Sequence, residues 1–186
     1  MDPQSFSLLF AAFLIATLAV KLWLSSRHIR HIAQHRNAVP PQFAHKIPLA
    51  AHQKAADYTI AKTRLKIVLL VVNAVVLLGF TLLGGLQWLS MALFDTAGTG
   101  MVYQLALIAA VTIIGSLVDL PFDYYKQFRL EEHFGFNKMT PGLFFSDMIK
   151  HALVGVVIGL PLLWVTLALM EKAGTLWWLY AWLIWC

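Results

Sequence analysis

Four long apolar runs constrain this chain more than any other feature. Phe6–Leu24 is broken only by Ser7, Thr17 and Lys21. Ile67 to about Leu89, Met101–Leu120, and a run from Thr140 to about Met170 follow. Each approaches or exceeds the ~20 residues that cross a hydrocarbon core at 1.5 Å per residue. Lipid offers no partner to backbone N–H and C=O groups, so such runs have to be helices. The expected fold class is therefore all-α: a polytopic membrane protein with four full transmembrane helices plus a truncated fifth. Composition agrees, with 60% hydrophobic residues and only 12% charged among 186, where a soluble domain has about half and about a quarter.

The first run lacks the positive start of a signal peptide and is too long for its apolar region, so it reads as a retained helix. The fifth run, Leu176–Cys186, carries Trp177, Trp178, Tyr180, Trp182 and Trp185. At 1.5 Å per residue it covers about half of a ~30 Å core. On that ground the chain is expected to be a fragment, or shortened relative to its relatives. Cys186 is the single cysteine, which excludes a disulfide within the chain and a cysteine zinc cluster.

Ser25–Lys66 holds Arg27, Arg30, Arg36, Lys46, Lys54, Lys62, Arg64 and Lys66 against one acid, Asp57. Val39-Pro40-Pro41 should end the first helix before Pro40, and Pro48 lets another begin near Leu49. Met91–Gly100, the second connection, has no lysine or arginine. The third has Lys126, Arg129, Lys138 and Lys150, and the fourth only Lys172. Basic loops stay in the cytoplasm. Loops one and three are therefore expected inside and the N-terminus outside, with a bacterial inner membrane as the expected location. The net charge of +5 fits such loops and anionic headgroups, and calls for no nucleic acid.

The third span should stop before Pro121. The polar, aromatic stretch from Asp119 to Lys150 cannot lie in lipid, and belongs at the surface or in a protein-lined cavity. Within it, Thr140-Pro141-Gly142 reads as a helix start, with Thr140 as cap and Pro141 at the first position. In the fourth span Gly155 and Gly159 permit a close helix neighbour, and Pro161 should kink it. Glu171-Lys172-Ala173-Gly174 reads as a tight turn.

Several side chains are candidates for chemistry. His28, His31 and His35 share a helical face, but no carboxylate or cysteine accompanies them as a co-ligand. Glu131-Glu132-His133 lacks the second histidine of a His-Glu-x-x-His helix. A surface acid pair near Arg129 or Lys138 is the plainer account. In Phe134-Gly135-Phe136-Asn137-Lys138 the glycine allows a tight turn and the asparagine tolerates the left-handed region. The Glu132–Pro141 loop is expected to be ordered, with Phe134 and Phe136 turned inward. Asn73, Gln104 and Asp119 are polar groups at or near membrane depth, and Asn73 is a functional candidate on that ground.

Glu132-His133-Phe134-Gly135-Phe136-Asn137-Lys138-Met139-Thr140-Pro141-Gly142-Leu143-Phe144 closely resembles the Glu-Arg-Phe-Gly-Phe-Asn-Lys-x-Thr-Pro-x-x-Phe stretch of the CAAX prenyl protease 1 family, the Ste24-type zinc metalloproteases of membranes. Ala55, Tyr58 and Lys62 are similar to its Ala-x-x-Tyr-x-x-x-Lys segment, and His133 stands in place of the usual arginine. The resemblance covers essentially the whole chain. It implies that residues 1–186 are the N-terminal multi-helix membrane domain of such a peptidase, forming the wall of a helical cage. Glu131, Glu132, Phe134, Gly135, Phe136, Asn137, Lys138, Thr140 and Pro141 would form the family's motif loop. No catalytic or metal residue is assigned to this chain, which lacks His-Glu-x-x-His and is expected to be inactive alone. The resemblance places zinc in the full-length enzyme. It implies as partners the bilayer, a C-terminal catalytic half, and a peptide or protein substrate in CAAX-type proteolysis or bacterial membrane-protein quality control. The competing readings are a non-enzymatic scaffold or interaction protein derived from that family, and a small transporter suggested by Asn73 and the Gly/Pro-interrupted spans.

Overall fold

The computed structural model describes residues 2–172 and 174–185. Among them there are helices and turns but no strand: α1 Pro3–His35, α2 Leu49–Thr81, α3 Gly85–Ala97, α4 Met101–Tyr125, α5 Pro141–Lys172 and α6 Trp177–Trp185. A π-helical segment, Lys126–Glu131, continues α4, and a 3-10 turn, Gly174–Leu176, precedes α6. Four helical stretches are long and apolar enough to cross a membrane: Pro3–His35, Leu49–Thr81, Met101–Glu131 and Pro141–Lys172. The fold class is thus all-α and polytopic.

Helices of 33 residues, as α1 and α2 are, measure about 50 Å. A hydrocarbon core is about 30 Å thick, so both reach well beyond it. α1 extends past Leu24 because Arg27, His28, Arg30, His31, Gln34 and their neighbours continue the helix in polar form. It stops before Pro40, and α2 starts at Leu49 right after Pro48, as the prolines dictate.

Residues 1–86 and 117–137 form one compact unit, and 87–116 with 138–186 the other. In the first, α1 packs against α2, and α2 against the π segment. Large apolar side chains such as Phe13, Ile15 and Val75 stand more than 60% exposed. In water, apolar faces of this extent would drive association; on spanning helices they are the lipid-facing surface. The buried apolar residues here are Ala56 and Leu130, where α2 meets the π segment. The second unit pairs α5 with α6, with Ala181 buried. Its Ser90 and Tyr103 hydroxyls hydrogen-bond, and Phe94 stands edge-on to Tyr103 at 6.2 Å.

Three boundaries and one backbone conformation differ from expectation. The second span does not reach Leu89, because α2 ends at Thr81. The N–H groups of Leu82 and Leu83 both bond the Leu78 carbonyl, and Gly84 takes φ +79°. A Cβ on Gly85 would sit 2.8 Å from the Gly79 carbonyl oxygen, so the chain doubles back there on glycine. The stretch assigned to a connection, Met91–Gly100, is then largely α3, with its turn confined to Gly98 (φ +68°) and Gly100 (φ +113°). The third helix runs through Pro121 instead of stopping before it. A proline there removes one donor, and the helical stretch absorbs that loss and continues to Glu131. Asn137 keeps a negative φ, so its tolerance of the left-handed region is not used.

α5 starts at Pro141 and runs through Pro161 to Lys172. Thr140 Oγ1 accepts the Leu143 N–H at 3.3 Å, and Lys150 Nζ bonds Asp147 Oδ1 at 3.2 Å. No described atom lies within 4 Å of a Cβ built on Gly155 or Gly159, so no described helix uses that gap. The expected Glu171–Gly174 turn contains Ala173, and the fifth run ends at Cys186. Both residues lie outside the described ones.

Candidate functional site: an aromatic clamp and a basic cleft

The π segment delivers the motif loop to α2. In a π turn the hydrogen-bonded ring widens by one residue, which shifts every following side chain around the axis. Here the π segment packs on α2, and Leu130 and Ala56 are buried on the two elements. The helix then closes on Gly135, whose φ is +71°. Gly135 N–H bonds the Glu132 carbonyl at 2.9 Å and Phe136 N–H the Glu131 carbonyl at 2.8 Å. That pair of bonds is the Schellman motif, with glycine in the left-handed position following the last helical turn. Asn137 N–H adds a second bond to the Glu131 carbonyl at 3.2 Å, and Asn137 Oδ1 accepts from Gln127 Nε2 at 2.7 Å. The loop is thus tied back at both backbone and side chain.

Tyr58 of α2 is what the loop closes on. Its ring meets Phe134 edge-on at 5.4 Å and Phe136 edge-on at 5.0 Å. Edge-to-face pairs of this kind contribute about 0.5–1.5 kcal/mol each beyond area burial. Lys54 Nζ stands 5.2 Å from the Phe136 ring centre and Lys62 Nζ 5.5 Å from that of Tyr58. Both are within cation–π range. The Tyr58 hydroxyl approaches Glu131 Oε1 at 3.5 Å, the outer limit of a hydrogen bond. Phe134 is half-buried, as expected, but Phe136 remains 48% exposed, so only its contact edge is turned inward.

One residue before Tyr58, a second link ties α2 to the segment following α1. Arg36 Nε and one terminal nitrogen reach the two Asp57 oxygens at 2.7 Å each. Asp57 lies in the polar first half of α2, before the apolar stretch that starts at Ile67. The hydrogen bond from Arg36, aided by the guanidinium charge, holds the Asp57 carboxyl below its ordinary value. Gln53 Nε2 to Asn37 Oδ1 at 3.0 Å, and the His52 ring to the His35 carbonyl at 3.0 Å, complete the seam.

α2 and the end of α4 also border a cleft of about 1060 Å³. Leu65, Val68 and Phe122 line its membrane side, and Arg64, Arg129 and His133 the polar end, with Glu132 beside them. The side chains of Arg64 and Arg129 make no hydrogen bond or ion pair with a described residue.

The sequence candidates therefore separate. Glu131, Phe134, Gly135 and Phe136 gather around Tyr58 and Lys54, Glu132 lines the cleft and Asn137 bonds Gln127, whereas Thr140 and Pro141 open α5 and Lys138 stands exposed before them. His31 and His35 lie 4.3 Å apart between ring centres, yet the His35 ring bonds the His31 carbonyl. Asn73 and Gln104 are exposed on α2 and α4. Asp119 is half-buried, and its Oδ1 is shielded without a partner. Sequence reasoning missed Gln127, Arg64 and the Arg36–Asp57 pair; the lone acid among eight bases in Ser25–Lys66 was the available signal for the last. No three His, Cys, Asp or Glu side chains gather to hold a metal among the described residues.

A family profile described as "CAAX prenyl protease N-terminal, five membrane helices" matches residues 28–186. CAAX prenyl protease 1 of Saccharomyces cerevisiae is 27% identical over 188 residues, covering 95% of this chain and 41% of the yeast protein. The Caenorhabditis elegans homolog is 30% identical over 182 residues, covering 95% and 40%, and the human homolog 29% over 185, covering 94% and 39%. The crystal structure of S. mikatae Ste24p superposes with a TM-score of 0.86 at 28% identity, covering 97% of this chain and 43% of that one. The chain spans about two-fifths of the length of these relatives. With the family profile matched over residues 28–186, four helices long and apolar enough to span a membrane, and Phe134 and Phe136 of the motif loop set against Tyr58, the chain belongs to the CAAX prenyl protease N-terminal family and corresponds to its membrane half.

Proposed function

We propose that this chain builds the membrane wall of a Ste24-like zinc endopeptidase, and that a C-terminal half carries the metal and the chemistry. Residues 1–186 are on this reading one N-terminal membrane domain. The observation that carries it is the family match over residues 28–186, reinforced by the motif loop held as a glycine cap against Tyr58. A zinc peptidase needs about three protein ligands, an open position for water and a carboxylate to take its proton. Those belong to the partner half in this reading. The substrate is the C-terminal CAAX tripeptide region of a prenylated protein, the chemistry that the relatives' names carry. The motif residues from Glu131 to Pro141 position the wall and do not touch reacting atoms.

The charge distribution supports loops one and three in the cytoplasm and the N-terminus outside. The relatives named above are eukaryotic, so they lend no support to a bacterial inner membrane.

A chimera tests the assignment. Residues 1–186 replace the corresponding region of the S. cerevisiae protease, and membranes are assayed on a farnesylated CAAX peptide. Chelator-sensitive cleavage within about tenfold of the parent is the expected result. A chimera that reaches the membrane at parental levels but cleaves nothing would favour a non-enzymatic scaffold.

A further inference from the structure

We infer that the cleft between α2 and the end of α4 is a binding site for one anionic phospholipid, with its phosphate on Arg64 and Arg129 and an acyl chain along Leu65, Val68 and Phe122. This reading does not depend on a catalytic half. Two arginines line one cavity of about 1060 Å³, and neither guanidinium is spent on an ion pair or hydrogen bond with a described residue. The counter-charge in the lining is Glu132 alone, so the cleft carries a net positive charge even with His133 neutral. Planar guanidinium groups suit phosphate oxygens.

The polarity of the lining also runs in the right direction. On α2, Arg64 lies just before the apolar stretch that starts at Ile67, and Val68 one turn further in. On the other wall, Phe122 lies just past the apolar run Met101–Leu120 within the same long helix, and Arg129 and His133 lie two to three turns further out along it. Both walls therefore pass from apolar to basic in the same sense across the membrane boundary. A free phosphate would use only the outer end of such a cleft. An amphiphile with an anionic head uses all of it, and basic clefts between helices at the membrane surface take lipid heads of this kind.

The test uses the purified 186-residue chain in a neutral detergent, with fluorescent dioctanoyl phosphatidylglycerol as probe. Saturable one-site binding is expected, at least tenfold tighter than to the phosphatidylcholine analogue and weakened by salt. The double variant Arg64→Gln/Arg129→Gln should lose at least tenfold. Val68→Trp, at a 51% exposed position, fills the apolar end with both charges kept, and should lose a similar factor. Arg27→Gln/Arg30→Gln, which alters charge elsewhere, should bind like wild type. Circular dichroism and size-exclusion profiles matching wild type qualify each variant. Equal binding of the two lipids, undiminished binding by both cleft variants, or equal loss in the Arg27/Arg30 variant would overturn the site. Competition by inorganic phosphate as strong as by the lipid would overturn it in favour of a simple anion site.

Discussion

At the scale of single residues, the molecule turns on two places where a side chain is not tolerated, for different reasons. Gly135 needs its φ of +71°, yet a Cβ there would meet only Lys54 Nζ at 3.7 Å, an ordinary contact. Its cost is conformational. Gly135→Ala should destabilise by about 1–2 kcal/mol, the price of a left-handed residue with a Cβ. Gly135→Asn should cost less and Gly135→Val more, because asparagine visits that region and a β-branched residue does not. Thermal unfolding in detergent gives the order directly, and equal effects for Asn and Val would contradict the cap. Gly85 is the opposite case. Its φ is ordinary, but a Cβ would fall 2.8 Å from the Gly79 carbonyl oxygen and 3.2 Å from Phe80 Cα. These are backbone atoms that cannot swing away. Gly85→Ala should cost about 1–3 kcal/mol by overpacking. Gly79→Ala, with open space around it inside α2, should gain up to about 1 kcal/mol from helix propensity. The two alanine variants should therefore move the melting temperature in opposite directions.

At the scale of elements, the seam between the end of α1 and the first turns of α2 rests on the bidentate Arg36–Asp57 pair. The side chains of both partners are partly exposed, at 38% and 42%, so water screens the attraction. The sign of its pH dependence is still fixed. Asp57 titrates lower in the folded chain than its ordinary value of 3.8. The folded state therefore holds fewer protons than the unfolded one, and the pair contributes stability above about pH 5. That contribution is lost as pH falls through the lowered carboxyl value. Asp57→Asn should thus melt below wild type at pH 7, and the gap should close as both are titrated below pH 4. A gap that stays constant down to pH 3 would assign the loss to something other than the charge. What the sequence made legible at this scale follows from the same physics. Prolines at 40 and 48 have local consequences, so the ends of α1 and α2 could be read directly. The break after Thr81 depends on how Gly85 meets Gly79 in space, and hydropathy runs through it unchanged. Pro121 reads as a stop in the sequence because a proline's local cost is visible there and the continuing helix that tolerates it is not. The Glu132–Pro141 loop was readable as turn and cap chemistry. Its partner Tyr58 lies 73 residues from Glu131, and spacing along the chain gave no hint of their contact.

At the scale of the whole molecule, topology is set by where charge is cheap. Each lysine or arginine carried into the bilayer centre costs about 2.5–3.5 kcal/mol on insertion scales. The segment from Ser25 to Lys66 has eight of them, and the connection Met91–Gly100 has none. Retaining the first segment in the cytoplasm and exporting the second is the arrangement that moves the fewest cations. The extension of α1 and α2 beyond their apolar runs strengthens the point, because Arg27 and Arg30 of α1 and Lys54, Lys62, Arg64 and Lys66 of α2 lie on those extensions in helical form. The prediction is a labelling pattern in a Cys186→Ser background. Asp95→Cys, exposed on α3, should react with a membrane-impermeant maleimide in intact cells. Lys46→Cys and Lys138→Cys, both exposed, should react only after permeabilisation. The two inner positions act as checks on each other, since they lie in different connections separated by two spans. If Lys46→Cys and Lys138→Cys label in intact cells while Asp95→Cys does not, the orientation is inverted. If only one of the two inner positions labels from outside, the number of crossings between them is odd, and one of the stretches Leu49–Thr81 and Met101–Glu131 does not span.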